Sequence, residues 1–198
     1  MNVDAVKADH RESTSAFDLW RHGDRFLSAA RKLGTDHLPA LYLACHATEL
    51  ALKSHLRANG YAMSDLASRE IGHRIGVALS LALETGMSKP PARVKAVLDF
   101  ANAVHREHHY RYPHAGVRAL PIWYFVLAAG WALREAAPAV ARKTPGIGVA
   151  VLRTRARDAV TWAKSRSPTA QERLSQKKMQ VALAAFNARQ EGTQCRQG

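Results

Sequence analysis

An apolar helical pattern is clearest at residues 41–53, which read LYLACHATELALK. At about 100° per residue, one face of such a helix collects Leu41, Tyr42, Cys45, Leu52 and Leu56. Glu49 falls within this apolar face, and Lys53 follows one turn later in the order that favours a Glu–Lys pair. Two interpretations of Glu49 follow: a buried structural ion pair with Lys53, or an active-site carboxylate.

Start and stop signals on both sides of this stretch predict five helices. The helix that contains it begins near Thr35 and Asp36, with Pro39 in its first turn, and ends at Asn59-Gly60. The other four are expected at residues 17–33, 71–83, 92–110 and 121–137, with Pro138 as the stop of the last. No convincing strand pattern occurs. We therefore predict an all-α protein, an up-and-down bundle of four to five helices with a basic C-terminal extension.

The charge of the chain is unevenly distributed. Lys and Arg total 29 against 16 Asp and Glu, and the formal net charge is +13. Residues 144–198 alone carry ten basic and three acidic residues, follow a Thr-Pro-Gly break and have a weak apolar pattern. We therefore predict a helical bundle over residues 1–143 and a basic, weakly helical tail over residues 144–198 with few core contacts. The basic surplus favours phosphate backbones as partners.

Composition and motifs exclude several classes of protein. A chain of 198 residues can bury a sizeable core without disulfides, and 47% hydrophobic with 23% charged residues is typical of a globular protein. The longest apolar stretch, residues 120–133, is shorter than the roughly 20 residues that a bilayer requires, so no membrane association is expected. Two cysteines and no leader-like segment favour a cytoplasmic location. A glycine-rich phosphate loop and a Ser nucleophile elbow are both missing, which disfavours the common NTPases and hydrolases.

The fourth predicted helix carries a polar stripe beside its apolar arc. The stripe contains Asp99, Asn102, Arg106 and His109, and His105 lies at its edge. Further along the chain follow Tyr110, Arg111, Tyr112 and His114. Amide, imidazole, guanidinium and phenol groups bind phosphate, stack on bases and transfer protons. A solvated helix face with a polar C-terminal turn is the alternative interpretation.

A metal site is not expected from the sequence. His105 and His109 are four residues apart and could both contact one ion, but two ligands do not make a site. A third ligand would have to come from the distant His73 or Glu49, and neither His-Glu-x-x-His nor Cys-x-x-Cys occurs. We therefore expect no metal and no cofactor.

Three of these features together resemble the HEPN superfamily (higher eukaryotes and prokaryotes nucleotide-binding). They are residues 41–53 with Leu56 and Gly60, then Gly72-His73, and then a helix that ends at Tyr110-Arg111-Tyr112-Pro113. The resemblance spans roughly residues 15–140. It implies a bundle of four to five helices, frequent homodimerisation and RNA as the usual substrate. Many members are metal-independent ribonucleases of toxin–antitoxin, abortive-infection or RNA-processing systems, and others bind without cutting.

The chain departs from the family's active-site motif, in which His follows Arg after four to six residues on a late helix. Here His108 and His109 follow Arg106 too closely, and His114 follows it too late, so the sequence leaves catalysis undecided. If the protein cleaves RNA, the resemblance implies that His109 or His114 deprotonates the 2′-hydroxyl. Arg106 or Arg111 would then stabilise the phosphorane.

The remaining candidate residues are assigned by the same resemblance. Asn102 and Tyr112 would orient the phosphate, and His105 would belong to the substrate-binding group. Glu49 with Lys53 and His73 would support these residues from the facing helices.

The leading hypothesis is an RNA-directed protein in stress, toxin–antitoxin or phage defence, either a weak metal-independent ribonuclease or an RNA-binding module. A homodimer is expected, with an antitoxin or a nucleotidyltransferase-like protein as a candidate partner. The alternative is a non-catalytic interaction module that neutralises or scaffolds a protein partner. A DNA-binding regulator is a third hypothesis, which the charge favours but no helix-turn-helix signal supports.

Overall fold

Seven helices make up the described part of the protein, which is residues 12–33, 38–106 and 121–166 of a computed structural model. They are α1 Ala16–Leu33, α2 Leu38–Ala58, α3 Met63–Ala67, α4 Ile75–Glu84, α5 Ala92–Arg106, α6 Ile122–Arg142 and α7 Val149–Ser165. Within these ranges there is no strand. The prediction of an all-α bundle is confirmed.

Helix α2 lies at the centre of the bundle and packs against α1, α4, α5 and α6. Its buried residues run along most of its length, as its continuous apolar sequence requires. On α1, the fully buried Trp20 donates a hydrogen bond from Nε1 to the Leu133 carbonyl of α6 at 2.9 Å. Gly23 allows α1 to approach closely, because a Cβ there would lie 3.2 Å from the Ala47 carbonyl of α2. The helices α1, α2 and α6 thus form one packed core.

Local signals account for several helix ends. Ser15 precedes α1, its Oγ accepts a hydrogen bond from the Asp18 amide at 3.1 Å, and the Ser15 amide donates to the Asp18 carboxylate at 3.2 Å. Gly60 and Gly86 follow α2 and α4 with φ angles of 102° and 93°, a conformation that favours glycine. These three signals confirm the predicted start of α1 and the predicted stops after α2 and α4.

Two predicted boundaries are wrong. The helix expected at residues 71–83 begins only at Ile75 and is preceded by the short α3, with a turn between them at residues 68–74. The helix expected to stop before Pro138 continues to Arg142. Proline removes one helical hydrogen bond, but residues 139 and 140 beyond it are buried in the core. This packing outweighs the local signal.

Helix α7 packs against α6, although it lies in the segment predicted to be a loosely attached tail. Leu152, Ala156, Ala159 and Ala163 form its buried face. Gly130 of α6 allows the close approach, since a Cβ there would lie 3.0 Å from Val160. The prediction of few core contacts is therefore wrong for residues 149–165, while the division of the chain at residue 143 stays a prediction.

No helix within the described ranges combines the length and the apolar character needed to cross a membrane.

Candidate functional site

Glu49 is the one buried carboxylate among the residues that the structure describes, and several polar side chains contact it. Glu49 lies near the middle of α2 and is only 2% exposed. The apolar residues of α2 place it inside the bundle, where it faces α5 and the turn at residues 68–74. A carboxylate can remain ionised in such a position only if cations and hydrogen-bond donors compensate for the lost water.

Four side chains surround the Glu49 carboxylate. Together with Glu49 they form what we call the Glu49 cluster. Lys53 Nζ donates to Oε1 at 2.7 Å. On the other oxygen, Oε2, His105 Nε2 lies at 2.8 Å, His73 Nδ1 at 3.1 Å and His46 Nδ1 at 3.6 Å. The predicted Glu49–Lys53 pair is thus present, and three imidazoles share the second oxygen.

The electrostatics of the cluster keep Glu49 charged. Burial alone would raise the pKa of the Glu49 carboxyl. The contacts with His105 and His46 and the charge of Lys53 act in the opposite direction, and the pKa of Glu49 is lowered well below its usual range. Glu49 is therefore a fixed negative charge at the centre of the bundle.

Aromatic contacts hold the imidazole rings in place. The His46 ring is stacked with Tyr42, with centroids 6.0 Å apart, and meets Phe26 edge-on at 4.7 Å. The rings of His73 and His105 are also perpendicular, with centroids 5.6 Å apart. Rings held in this way present their nitrogens to the carboxylate with little freedom to rotate.

A cleft of about 520 Å³ opens beside the cluster. Lys53, Arg69 and Arg74 line it with His73, whose side chain is 49% exposed. Of the described residues that line the cleft, none is acidic. The cleft is thus suited to an anion, and His73 connects it to the buried carboxylate.

The structure brings together only some of the residues predicted for the site. Glu49, Lys53, His73 and His105 are in contact, as the facing arrangement of α2 and α5 requires. Asn102 instead accepts a hydrogen bond from the Gly76 amide at 2.8 Å. It therefore satisfies a free amide in the first turn of α4, which is a structural role.

His109, Arg111, Tyr112 and His114 lie outside the described residues, and so does the side chain of Arg106, the last residue of α5. Their roles stay predictions.

Three residues of the site were not predicted from the sequence. His46 is three residues before Glu49, a spacing that places both on one side of a helix and could have identified it. Arg69 lies in the turn before α4, and Arg74 is the N-cap residue of α4. The sequence pattern assigns most of this stretch to a helix. No local signal links them to Glu49.

Comparison of the chain with protein-family models, with curated proteins and with solved structures found no match.

Proposed function

We propose that the protein binds RNA through its phosphate groups in the cleft beside the Glu49 cluster. The observation that carries this proposal is the lining of the cleft, in which Lys53, Arg69 and Arg74 accompany His73 without an acidic residue among the described ones. Arginine and lysine form the strong, charge-assisted hydrogen bonds that phosphate oxygens accept.

A polyanion fits the protein better than a single small anion. The net charge of the chain is +13, and α7 carries the exposed Arg153, Arg155 and Arg157, of which Arg155 pairs with Asp24 of α1 at 3.7 Å. Dispersed basic groups of this kind supply salt-sensitive, sequence-independent attraction to a nucleic-acid backbone. The resemblance to the HEPN superfamily favours RNA over DNA.

A ribonuclease of the metal-independent type is the catalytic form of this proposal. Among the described histidines, His73 lines the cleft and its Nδ1 is held by the Glu49 carboxylate at 3.1 Å. A carboxylate that orients an imidazole favours proton transfer, here to the 5′-oxygen that leaves when the RNA is cleaved. As the resemblance implies, His109 or His114 would deprotonate the attacking 2′-hydroxyl, and Arg106 or Arg111 would stabilise the phosphorane. If these residues do not assemble, the protein is an RNA-binding module.

The biological setting is proposed from the resemblance alone. We propose a cytoplasmic homodimer in stress, toxin–antitoxin or phage defence, with an antitoxin or a nucleotidyltransferase-like protein as its partner. The alternative of a protein-interaction module gains no support from the described surface, where Leu33 and Val151 are the only large exposed hydrophobic residues.

Binding is tested by fluorescence anisotropy of an end-labelled single-stranded RNA at several salt concentrations. We expect Arg69→Ala and Arg74→Ala each to weaken binding about tenfold or more, because each removes a charge-assisted contact. Each should also lower the slope of log affinity against log salt by about one. Lys89→Ala is the matched control, since Lys89 is exposed and does not line the cleft. Equal losses in all three variants would contradict the cleft as the binding site.

Cleavage is tested with the same RNA in excess chelator. Products that end in a 2′,3′-cyclic phosphate, and that disappear in His73→Ala and His109→Ala, would support the metal-independent reaction. Intact RNA with retained binding would identify a binding module. If the wild-type protein neither binds nor cleaves the RNA, the RNA proposal is overturned.

A further inference from the structure

The arrangement around Glu49 Oε2 differs from an ordinary buried ion pair. Three imidazole nitrogens, from His105, His73 and His46, lie between 2.8 and 3.6 Å from this one oxygen. Lys53 is bound to the other oxygen, Oε1, and already neutralises the carboxylate. Charge compensation alone therefore does not explain why three more basic groups meet at Oε2.

His46 is the informative member of this group. Its Nδ1 is buried and has no hydrogen-bond partner, because the distance of 3.6 Å to Glu49 is longer than a hydrogen bond. Buried polar atoms are nearly always partnered in native proteins. The nitrogen points at the carboxylate from a ring that Phe26 and Tyr42 hold in place. A shared ligand between His46 and Glu49 would satisfy it.

The spacing of these atoms is close to that of a metal site. The candidate ligand atoms of His46, Glu49 and His105 all lie within 4.8 Å of one another. Zinc binds imidazole nitrogen and carboxylate oxygen at about 2.0–2.2 Å, so two ligands of a tetrahedral ion are roughly 3.3 Å apart. The distances of 2.8 and 3.6 Å to Oε2 lie on either side of this value. The widest pair of ligand atoms, up to 4.8 Å apart, would have to move inward by about 1.5 Å for binding.

We propose that His46, Glu49 and His105 bind one Zn²⁺ ion, with Glu49 contributing Oε2 alone. Lys53 holds Oε1, which leaves the carboxylate a single-oxygen ligand. His73 lies close enough to Oε2 either to hydrogen-bond the ligating carboxylate or to supply a fourth ligand. Two imidazoles and a carboxylate favour zinc over Mg²⁺ or Ca²⁺, which prefer oxygen ligands.

The sequence does not predict this site, because helical spacing pairs His105 with His109 and gives no sign that His105 meets His46 and Glu49 of another helix. The zinc proposal shares Glu49 and His73 with the proposed RNA site. Its test measures metal binding alone, so each proposal can fail without the other.

The experiment titrates full-length protein, freed of metal by chelation and desalting, with ZnCl₂ in a calorimeter. We expect one ion per chain and a rise in melting temperature of about 5–10 °C at a hundredfold excess over Kd. His46→Ala should weaken binding tenfold or more. This variant should still fold, because the His46 nitrogen makes no hydrogen bond to lose. Co²⁺ in place of zinc should give the strong visible absorption of a tetrahedral ion, and this absorption should weaken in His46→Ala.

His22→Ala is the matched control, because His22 is exposed on α1. We expect it to bind zinc as the wild-type protein does. The proposal is overturned if no saturable binding occurs at one ion per chain, or if His46→Ala binds as tightly as the wild type. The first result would show that the Glu49 cluster does not bind zinc, and the second would show that zinc binds without His46. Neither result would affect the RNA-binding test.

Discussion

Leu152 is the one large, fully buried side chain of α7, and the partly buried Trp162 also packs against the core. Leu152 is 2% exposed, and the other buried residues of α7 are alanines. Leu152→Ala removes three buried carbon atoms, which at about 0.8 kcal/mol each amounts to roughly 2.4 kcal/mol of lost transfer free energy. The cavity that remains adds to this, and comparable substitutions cost about 2–5 kcal/mol. We therefore expect the free energy of unfolding to fall by about 3 kcal/mol.

The assay is urea unfolding of the full-length protein, followed by circular dichroism at the helical band. With a slope of about 2–3 kcal/mol per molar urea, Leu152→Ala should lower the midpoint by about 1–1.5 M. Val151→Ala is the control on the same helix, because Val151 is 57% exposed and its loss should cost less than about 0.5 kcal/mol. Equal midpoints for the two variants would refute the conclusion that α7 belongs to the core.

Three further predictions concern the interior of the bundle. Gly130→Leu should destabilise the protein by about 1–3 kcal/mol, because a Cβ at position 130 would by itself lie 3.0 Å from Val160. An unchanged urea midpoint would contradict the close packing of α6 on α7. Glu49→Gln should lower the free energy of unfolding by about 3–5 kcal/mol, because Lys53 stays buried without its counter-charge. Adding Lys53→Met should recover part of this loss, and no recovery would show that the two residues are not coupled. Burial lowers the pKa of His55, so unfolding should become easier as pH falls below about 6.5, where the unfolded chain takes up the proton first. His55→Leu should flatten this part of the stability profile, and an unchanged profile would exclude His55 as its cause.

The helical content and several helix ends could be predicted from the sequence because they depend on neighbouring residues. The apolar spacing at residues 41–53, the cap at Ser15 and the stops at Gly60 and Gly86 all act within one or two turns of a helix. The Glu49–Lys53 pair also acts within one helical turn, because its residues are four apart. Each of these features follows from the geometry of a single helix.

Other features could not be read from local patterns. Pro138 normally stops a helix, and only the burial of the residues after it explains why α6 continues. The weak apolar pattern of residues 149–165 gave no sign that Leu152 and three alanines would fit against Gly130. In both places, packing between helices outweighs a local preference.

For the candidate site, the sequence by itself determined that Glu49 and Lys53 lie on one face of α2 and that a histidine-rich segment begins at His105 near the end of α5. Only the tertiary structure decided that His73 and His105, 24 and 56 residues away, meet the same carboxylate oxygen. It also decided that Asn102 binds Gly76 instead of lining the cleft. The physical reason is that side-chain spacing along one helix is set by its 3.6-residue repeat, whereas the meeting of distant residues depends on how whole helices pack.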